Sequence, residues 1–118
     1  MIWIKAAGFF MFLAVALGAF GAHALRSHMT ADMMEVYRTA VLYHFIHALG
    51  LFTVAWMKTL TPDPKVNIAG FLLIGGIILF SGSLYALAVT GIRALGMITP
   101  LGGLLFLAGW LTVISIKF

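Results

Sequence analysis

The chain contains no cysteine. Disulfides, thiolate nucleophiles and thiolate metal sites are therefore excluded, and the redox compartment cannot be read. Acid is almost as scarce: Asp32, Glu35 and Asp63 are the only acidic side chains among 118 residues. All three sit in polar connecting stretches, RSHMTADMMEVY and TLTPDPK, so no carboxylate lies inside an apolar run. That absence weighs against paired-carboxylate acid–base chemistry. It also weighs against exporters that couple to protons through a membrane-embedded acid. Charged residues of both signs reach only 8%, where soluble domains carry about 25%. The seven Lys and Arg raise the pI to 9.9, but they are scattered singly and form no basic patch. Nucleic acid is accordingly not an expected partner.

What remains is apolar. Hydrophobic residues make up 64% of the chain, and the mean hydropathy is +1.15. A soluble fold built from this composition would lack the polar surface to cover itself, and the solvent it suits is the lipid bilayer. Four apolar runs are long enough to cross, a span needing about 20 residues. They are residues 6–25, 39–57, 66–90 and 100–116. At the first, Lys5 and Ala22-His23-Ala24 imitate a signal peptide and its cleavage site. The apolar stretch is longer than the usual h-region of about 7–15 residues, so a retained span is expected. Ala14, Gly18 and Ala22 make a small-residue stripe suited to close helix contact.

Between the first two runs, Arg26 to Tyr37 reads as a loop with a short interfacial helix that Thr30 could cap. Pro62, Asp63 and Pro64 end the second run in a tight turn. The third is interrupted by Gly75-Gly76 and by Ser81-Gly82-Ser83, and Thr99-Pro100 opens the fourth. The expected fold is all-α: a single domain, residues 1–118, forming a four-transmembrane-helix bundle with short loops and both termini on one side. Lys5, Lys58, Lys65 and Lys117 then fall on the side of the termini, and Arg26, Arg38 and Arg93 on the other. Four against three places the termini in the cytoplasm by the positive-inside rule. Gly75, Gly76, Gly102 and Gly103 leave small-residue grooves that suit a homo-oligomer.

The polar residues inside the runs are not evenly distributed. At about 1.5 Å per residue, His44 lies roughly 9 Å and His47 roughly 13–14 Å below Arg38. His23, Tyr85, Ser83 and Ser81 enter from the same face, so the arginine half of the bilayer holds all of these intramembrane polar groups. Tyr43, His44 and His47 share one sector of their helix. The functional reading is a polar pocket, open towards the arginine side and lined by His23, Arg38, Tyr43, His44, His47, Ser81, Ser83 and Tyr85. The competing reading is that these groups hydrogen-bond between helices, for about 0.6 kcal/mol each. Interhelical bonding is the commoner role, and it is the expectation here. His44-x-x-His47 with His23 could offer three imidazoles to a metal, but without a carboxylate or thiolate the ligand set is incomplete. Ser81 or Ser83 beside His44 or His47 lacks a third group to orient the base. No cofactor, metal or enzymatic activity is expected.

Several segments are familiar in combination: Gly18-Ala19-Phe20-Gly21-Ala22-His23-Ala24-Leu25; Tyr37-Arg38-Thr39-Ala40-Val41 running into Tyr43-His44 and His47-Ala48-Leu49-Gly50; Phe80-Ser81-Gly82-Ser83-Leu84-Tyr85; Gly96 to Pro100; Gly102-Gly103; and Gly109-Trp110. Together, in this order from Gly18 to Trp110, they resemble the YgdD/YwdK-like family of small membrane proteins, the domain of unknown function family numbered 423. The resemblance implies a four-span protein of the bacterial inner (plasma) membrane and brings no established activity or catalytic residue. The expected function is therefore that of a small integral membrane protein in an envelope-integrity or accessory role. The alternative is a small transporter or channel that handles protons or a ligand through His44 and His47.

Overall fold

Within hydrocarbon every backbone N–H and C=O must find its partner inside the chain, so four apolar runs must become four helices. The computed structural model, which describes all residues from Met1 to Phe118, has them as α1 (Ile2–His28), α2 (Ala31–Leu60), α3 (Lys65–Thr90) and α4 (Arg93–Ile114). They run up and down in sequence with short connections and no strand. The chain termini and the Thr61–Pro64 turn share one end, as hydrogen bonds from Trp3 to Asn67 (2.9 Å) and from Thr61 to the Lys117 carbonyl (2.7 Å) require.

The largest difference from the expected boundaries is at α2. The polar segment before Arg38 is not a separate interfacial helix. Only Met29 and Thr30 break the helical path. Thr30 then caps α2, its Oγ1 accepting from the Met33 N–H at 3.2 Å. Nothing between Thr30 and Pro62 interrupts a helix, and Asp32 in the first turn suits the positive end of the dipole. The 30 residues of α2 extend about 45 Å against a hydrocarbon core of about 30 Å. Its first two turns therefore stand among the headgroups.

α2 also organises the interior. Tyr37, Ala40, His44, His47, Leu51 and Val54 are all buried and follow one another at spacings of three and four. That 3.5-residue seam is the one a helix presents to packed neighbours. Its arginine half is polar and its lysine half apolar. In the lysine half, Leu51, Val54 and Met57 meet Trp3, Val66, Leu73 and Ile77. Large side chains on the outside, such as Phe12, Phe71, Leu107 and Ile114, face lipid.

Packing of this kind is driven by close contact, not by a hydrophobic difference between interior and solvent, so small residues decide it. A Cβ at Gly70 would overlap the Trp3 indole, one at Gly76 the Phe106 ring, and one at Gly102 the backbone of Phe80. Gly75 lies against Leu105. Three of the four glycines expected to seat a second copy are thus occupied within the α3–α4 packing, and Gly103 opens onto a groove described below.

α1 and α3 each contain one π-helical turn, Ala16–Gly21 and Ile77–Ser81. At the first, the Leu17 carbonyl accepts the Ala22 N–H and also the Tyr37 hydroxyl, the latter at 2.5 Å. Gly21 makes room for that hydroxyl, since any Cβ there would collide with it. α3 ends on Gly91, whose φ of 71° is left-handed and costs glycine nothing.

At the lysine end, Asp63 ties the C-terminal tail to the turn. Its carboxylate accepts from the N–H groups of Lys117 and Lys65, both at 2.9 Å. These bonds, with the nearby lysine charges, hold the Asp63 pKa below the ordinary carboxylate value. A depressed carboxylate pKa contributes stability above the unfolded-state value and loses it as pH falls through the folded one. Melting temperature in detergent should therefore drop as pH is lowered from 5 towards 3, and Asp63→Asn should be less stable at pH 7 with a flatter dependence over that interval. An unchanged acid limb in Asp63→Asn would remove Asp63 from the acid response.

Candidate functional site

The polar seam of α2 resolves into two centres. In the first, the His47 ring is held on every side. Its Nδ1 lies 2.7 Å from the Tyr43 carbonyl, one turn earlier in α2. A carbonyl only accepts, so Nδ1 carries the proton and Nε2 is left as an acceptor. Trp110 of α4 fills that role, its indole N–H donating to Nε2 at 3.1 Å. One face of the imidazole stacks on Phe106, with centroids 3.5 Å apart and planes 9° from parallel. Phe106 in turn rests where Gly76 has no side chain. His47 is only 4% exposed and is a neutral imidazole in one fixed tautomer. Protonation would set a second N–H against the indole donor and break the contact.

In the second centre, His44 Nδ1 is 2.8 Å from the Tyr85 hydroxyl of α3. The Tyr85 and Tyr37 rings meet edge to face at 5.3 Å, and Tyr37 continues to the π turn of α1. His44 is 2% exposed, and its Nε2 has no hydrogen-bond partner. Phe10 of α1 packs edge to face against the imidazole, at 6.3 Å between ring centroids.

The serines complete the arrangement without joining either histidine. Ser81 Oγ donates to the Ala40 carbonyl across the α2–α3 contact at 2.8 Å. Ser83 Oγ lies 2.6 Å from Thr99 Oγ1 on α4 and 3.0 Å from the Phe80 carbonyl. Of the eight residues proposed from sequence, His44, His47, Ser81, Ser83 and Tyr85 lie along the α2–α3–α4 interior, while Tyr43, 38% exposed, faces the lateral groove described below. His23 and Arg38 do not join them. His23 is exposed, and the Arg38 side chain, 68% exposed, pairs with Glu35 at 3.1 Å. The three imidazoles of His23, His44 and His47 consequently do not converge.

Two participants escaped the sequence reading. Trp110 enters there only as the end of the Gly109-Trp110 segment, and nothing in its surroundings points 63 residues back to His47. Tyr37 was assigned to the loop. Its place seven residues before His44 on the same seam was the available signal.

The interior has no polar vestibule open towards the arginines. Its largest cavity, about 740 Å³, is a lateral groove between α2 and α4. Leu42, Ile46, Leu104 and Leu107 form its walls, and Phe80, Phe106, Tyr43, His47 and Trp110 its floor. Polar pairing between helices leaves His44 Nε2 as the one unbonded buried polar side-chain atom and turns the open space outward, towards acyl chains.

A model of the family described as a protein of unknown function, DUF423, matches residues 17–103. The chain belongs to this family. The match covers all but the first residue of the π turn of α1, the whole of α2 and α3, and the glycine pair of α4. Relatives include the UPF0382 membrane protein YwdK of Bacillus subtilis, 50% identical over 103 residues that cover 86% of this chain and 84% of the relative. The UPF0382 membrane protein SH2409 of Staphylococcus haemolyticus is 49% identical over 106 residues, covering 90% and 86%. No solved structure matches. This member of the family is a four-span integral membrane protein whose biochemical activity is unassigned.

The two centres make the role of Trp110 measurable. Trp110→Phe keeps the ring but leaves the His47 acceptor unpaired, and should lower stability by about 1 kcal/mol, the range of interhelical bonds in membranes. Because the loss comes from an orphaned group, His47→Leu should cost less in the Trp110→Phe background than in the native chain. Strictly additive effects in a double-mutant unfolding cycle would show that the two side chains are not coupled.

Proposed function

We propose that this protein is a non-enzymatic accessory component of the bacterial inner membrane that serves envelope integrity by holding a hydrocarbon chain against its lateral groove. The observation that carries the reading is the contrast between the two kinds of space in the bundle. The interior polar groups are bonded to one another, with His44 Nε2 left over. The open volume of about 740 Å³ is walled by aliphatic and aromatic side chains. Enzymes need a reacting group that faces a substrate, and here His47 is committed at both nitrogens, while Ser81 and Ser83 are bonded to α2 and α4. A site at hydrocarbon depth, open sideways, receives what the bilayer offers there, an acyl or isoprenoid chain.

The test is photolabelling of the purified chain in bilayers containing a phospholipid with a diazirine on its acyl tail. Labelling should concentrate on peptides spanning residues 42–47 and 100–110, and Gly103→Trp, which fills the groove, should reduce it several-fold. Labelling spread evenly over Phe9, Phe12, Phe71 and Ile78, which point into lipid elsewhere, would refute a selective groove.

In the same proposal the termini and the four lysines lie in the cytoplasm. A reporter active only in the cytoplasm should be active when fused after Phe118 and silent when inserted between Ser27 and Met29. The reverse pattern would invert the topology.

A further inference from the structure

A second region of the molecule has the makings of a binding site, and it lies where the sequence proposed a pocket that the interior does not contain. α1 and α2 are in contact where Leu17, Gly18 and Gly21 meet Tyr37, Val41 and Phe45. Between them lies a cavity of about 330 Å³ bordered by His23, Arg26 and Arg38, with Gly18, Ala22 and Met34 at its base. A neighbouring cavity of about 360 Å³ shares Arg26 and Arg38 and adds Asp32 and Glu35. A third, about 490 Å³, begins at Arg38, Gly18 and Ala22 and descends along Val41, Leu42 and Phe45 into hydrocarbon. The three share lining residues, Arg26 and Arg38 between the first two and Gly18, Ala22 and Arg38 between the first and third, and they grade from two charges of each sign at the headgroup level to Val41, Leu42 and Phe45 below.

Their chemistry is asymmetric in a way that identifies an occupant. Arg26 makes no ion pair or hydrogen bond, and Arg38 is held only by the exposed Glu35 contact at 3.1 Å, a type worth little in water. Both guanidinium groups are therefore available to a phosphate, which they bind in charge-assisted bonds. Asp32 and Glu35 would repel a ligand that is only anionic, but they suit a cationic group beside the phosphate. The apolar descent along Val41, Leu42 and Phe45 suits an attached acyl chain. Basic pockets between transmembrane helices are recognised lipid headgroup sites. The chain's path runs over Val41, Leu42 and Phe45, and Gly18 packs closely against Val41 and Phe45.

We infer that the α1–α2 cleft binds a zwitterionic phospholipid of the phosphatidylethanolamine class, with its phosphate on Arg26 and Arg38, its ammonium towards Asp32 and Glu35, and an acyl chain along Val41, Leu42 and Phe45. His23, at the rim of the phosphate cavity, is a further donor. Leu42 lines both this cleft and the α2–α4 groove, so the two adjoin across the outer face of α2, and they differ in their second wall, α1 here and α4 there.

The full chain, delipidated in mild detergent, is titrated with phosphatidylethanolamine, phosphatidylglycerol, phosphoethanolamine and inorganic phosphate. Occupancy is read by native mass spectrometry and folding by circular dichroism. One phosphatidylethanolamine should be retained per chain, with at least ten-fold preference over phosphatidylglycerol and no comparable binding of the two soluble phosphates. Arg26→Gln with Arg38→Gln should lower that occupancy about ten-fold, the effect of losing roughly one charge-assisted bond. Asp32→Asn with Glu35→Gln should reverse the preference towards phosphatidylglycerol while the fold is retained. Equal retention of both lipids by native protein, retention insensitive to the arginine pair, or binding of free phosphate as tight as lipid would each overturn the assignment. Loss of phosphatidylethanolamine in the arginine pair with unchanged photolabelling of residues 100–110, which line only the α2–α4 groove, would establish that the two sites are independent.

Discussion

The interaction on which the bundle's interior depends is the captured ring of His47. A polar side chain near the middle of a bilayer has no water to fall back on, and it must be matched by the protein at each polar atom. His47 is matched by a carbonyl of its own helix, by the indole of α4 and by a stacked phenyl ring. That phenyl ring can lie there only because Gly76 of α3 has no side chain. Three helices are therefore brought into register by one imidazole, and the register fixes the glycine-to-backbone contact between Gly102 and Phe80. The same contacts leave α2 and α4 held apart above the floor they share, and that separation is the lateral groove.

Much of this architecture is legible in the sequence because hydropathy and helix breakers act locally. Four apolar runs, the proline turn at Pro62–Pro64, the Thr30 cap and the partition of lysines from arginines all follow from residues near one another in the chain. The seam of α2 is legible as well, since Tyr37, Ala40, His44, His47, Leu51 and Val54 keep a 3.5-residue spacing. What is not local is lost. The pairing of His47 with Trp110 depends on how far α4 leans across α3, which is set by Gly76 and Gly102 together. The expected polar pocket is misplaced for the same reason: its residues lie at similar depth, but depth alone does not say which of them share a face.

His23 shows how one local irregularity defeats extrapolation. Its depth puts it level with the polar seam, and a straight α-helix through Ala14, Gly18 and Ala22 would carry that stripe unbroken. The π turn at Ala16–Gly21 accommodates one extra residue, which rotates everything after it by about 100°. His23 and Arg26 are thereby turned to the surface, while the Leu17 carbonyl, still bonded to the Ala22 N–H, also accepts from Tyr37. The π turn thus joins α1 to the polar seam through a backbone atom and leaves the basic side chains of α1 outside. Ile77–Ser81 does comparable work in α3, where Ser81 reaches the Ala40 carbonyl. Neither turn has a proline or any other residue that announces it.

The distribution of polar contacts also bears on conduction. A path for ions or protons across the membrane needs polar groups or water along its whole length. On the arginine side the seam offers Tyr37, Tyr85, His44 and, deeper, His47. Below His47 it continues as Leu51, Val54 and Met57, closed against Trp3, Val66, Leu73 and Ile77. Those side chains are between 0% and 5% exposed and leave no polar step towards the lysine end. Even on the arginine side the two centres are separate, because His44 bonds to Tyr85 while His47 bonds to Tyr43 and Trp110. A proton reaching His44 would find its free Nε2 without a hydrogen-bond partner, and reaching His47 would require breaking the indole bond that aligns α4. Opening such a path would mean separating the helices that the two histidines hold together, so adhesion and conduction compete for the same atoms. In this arrangement adhesion holds those atoms, and the surfaces left for interaction are the lipid-facing grooves that α2 shares with α1 and with α4.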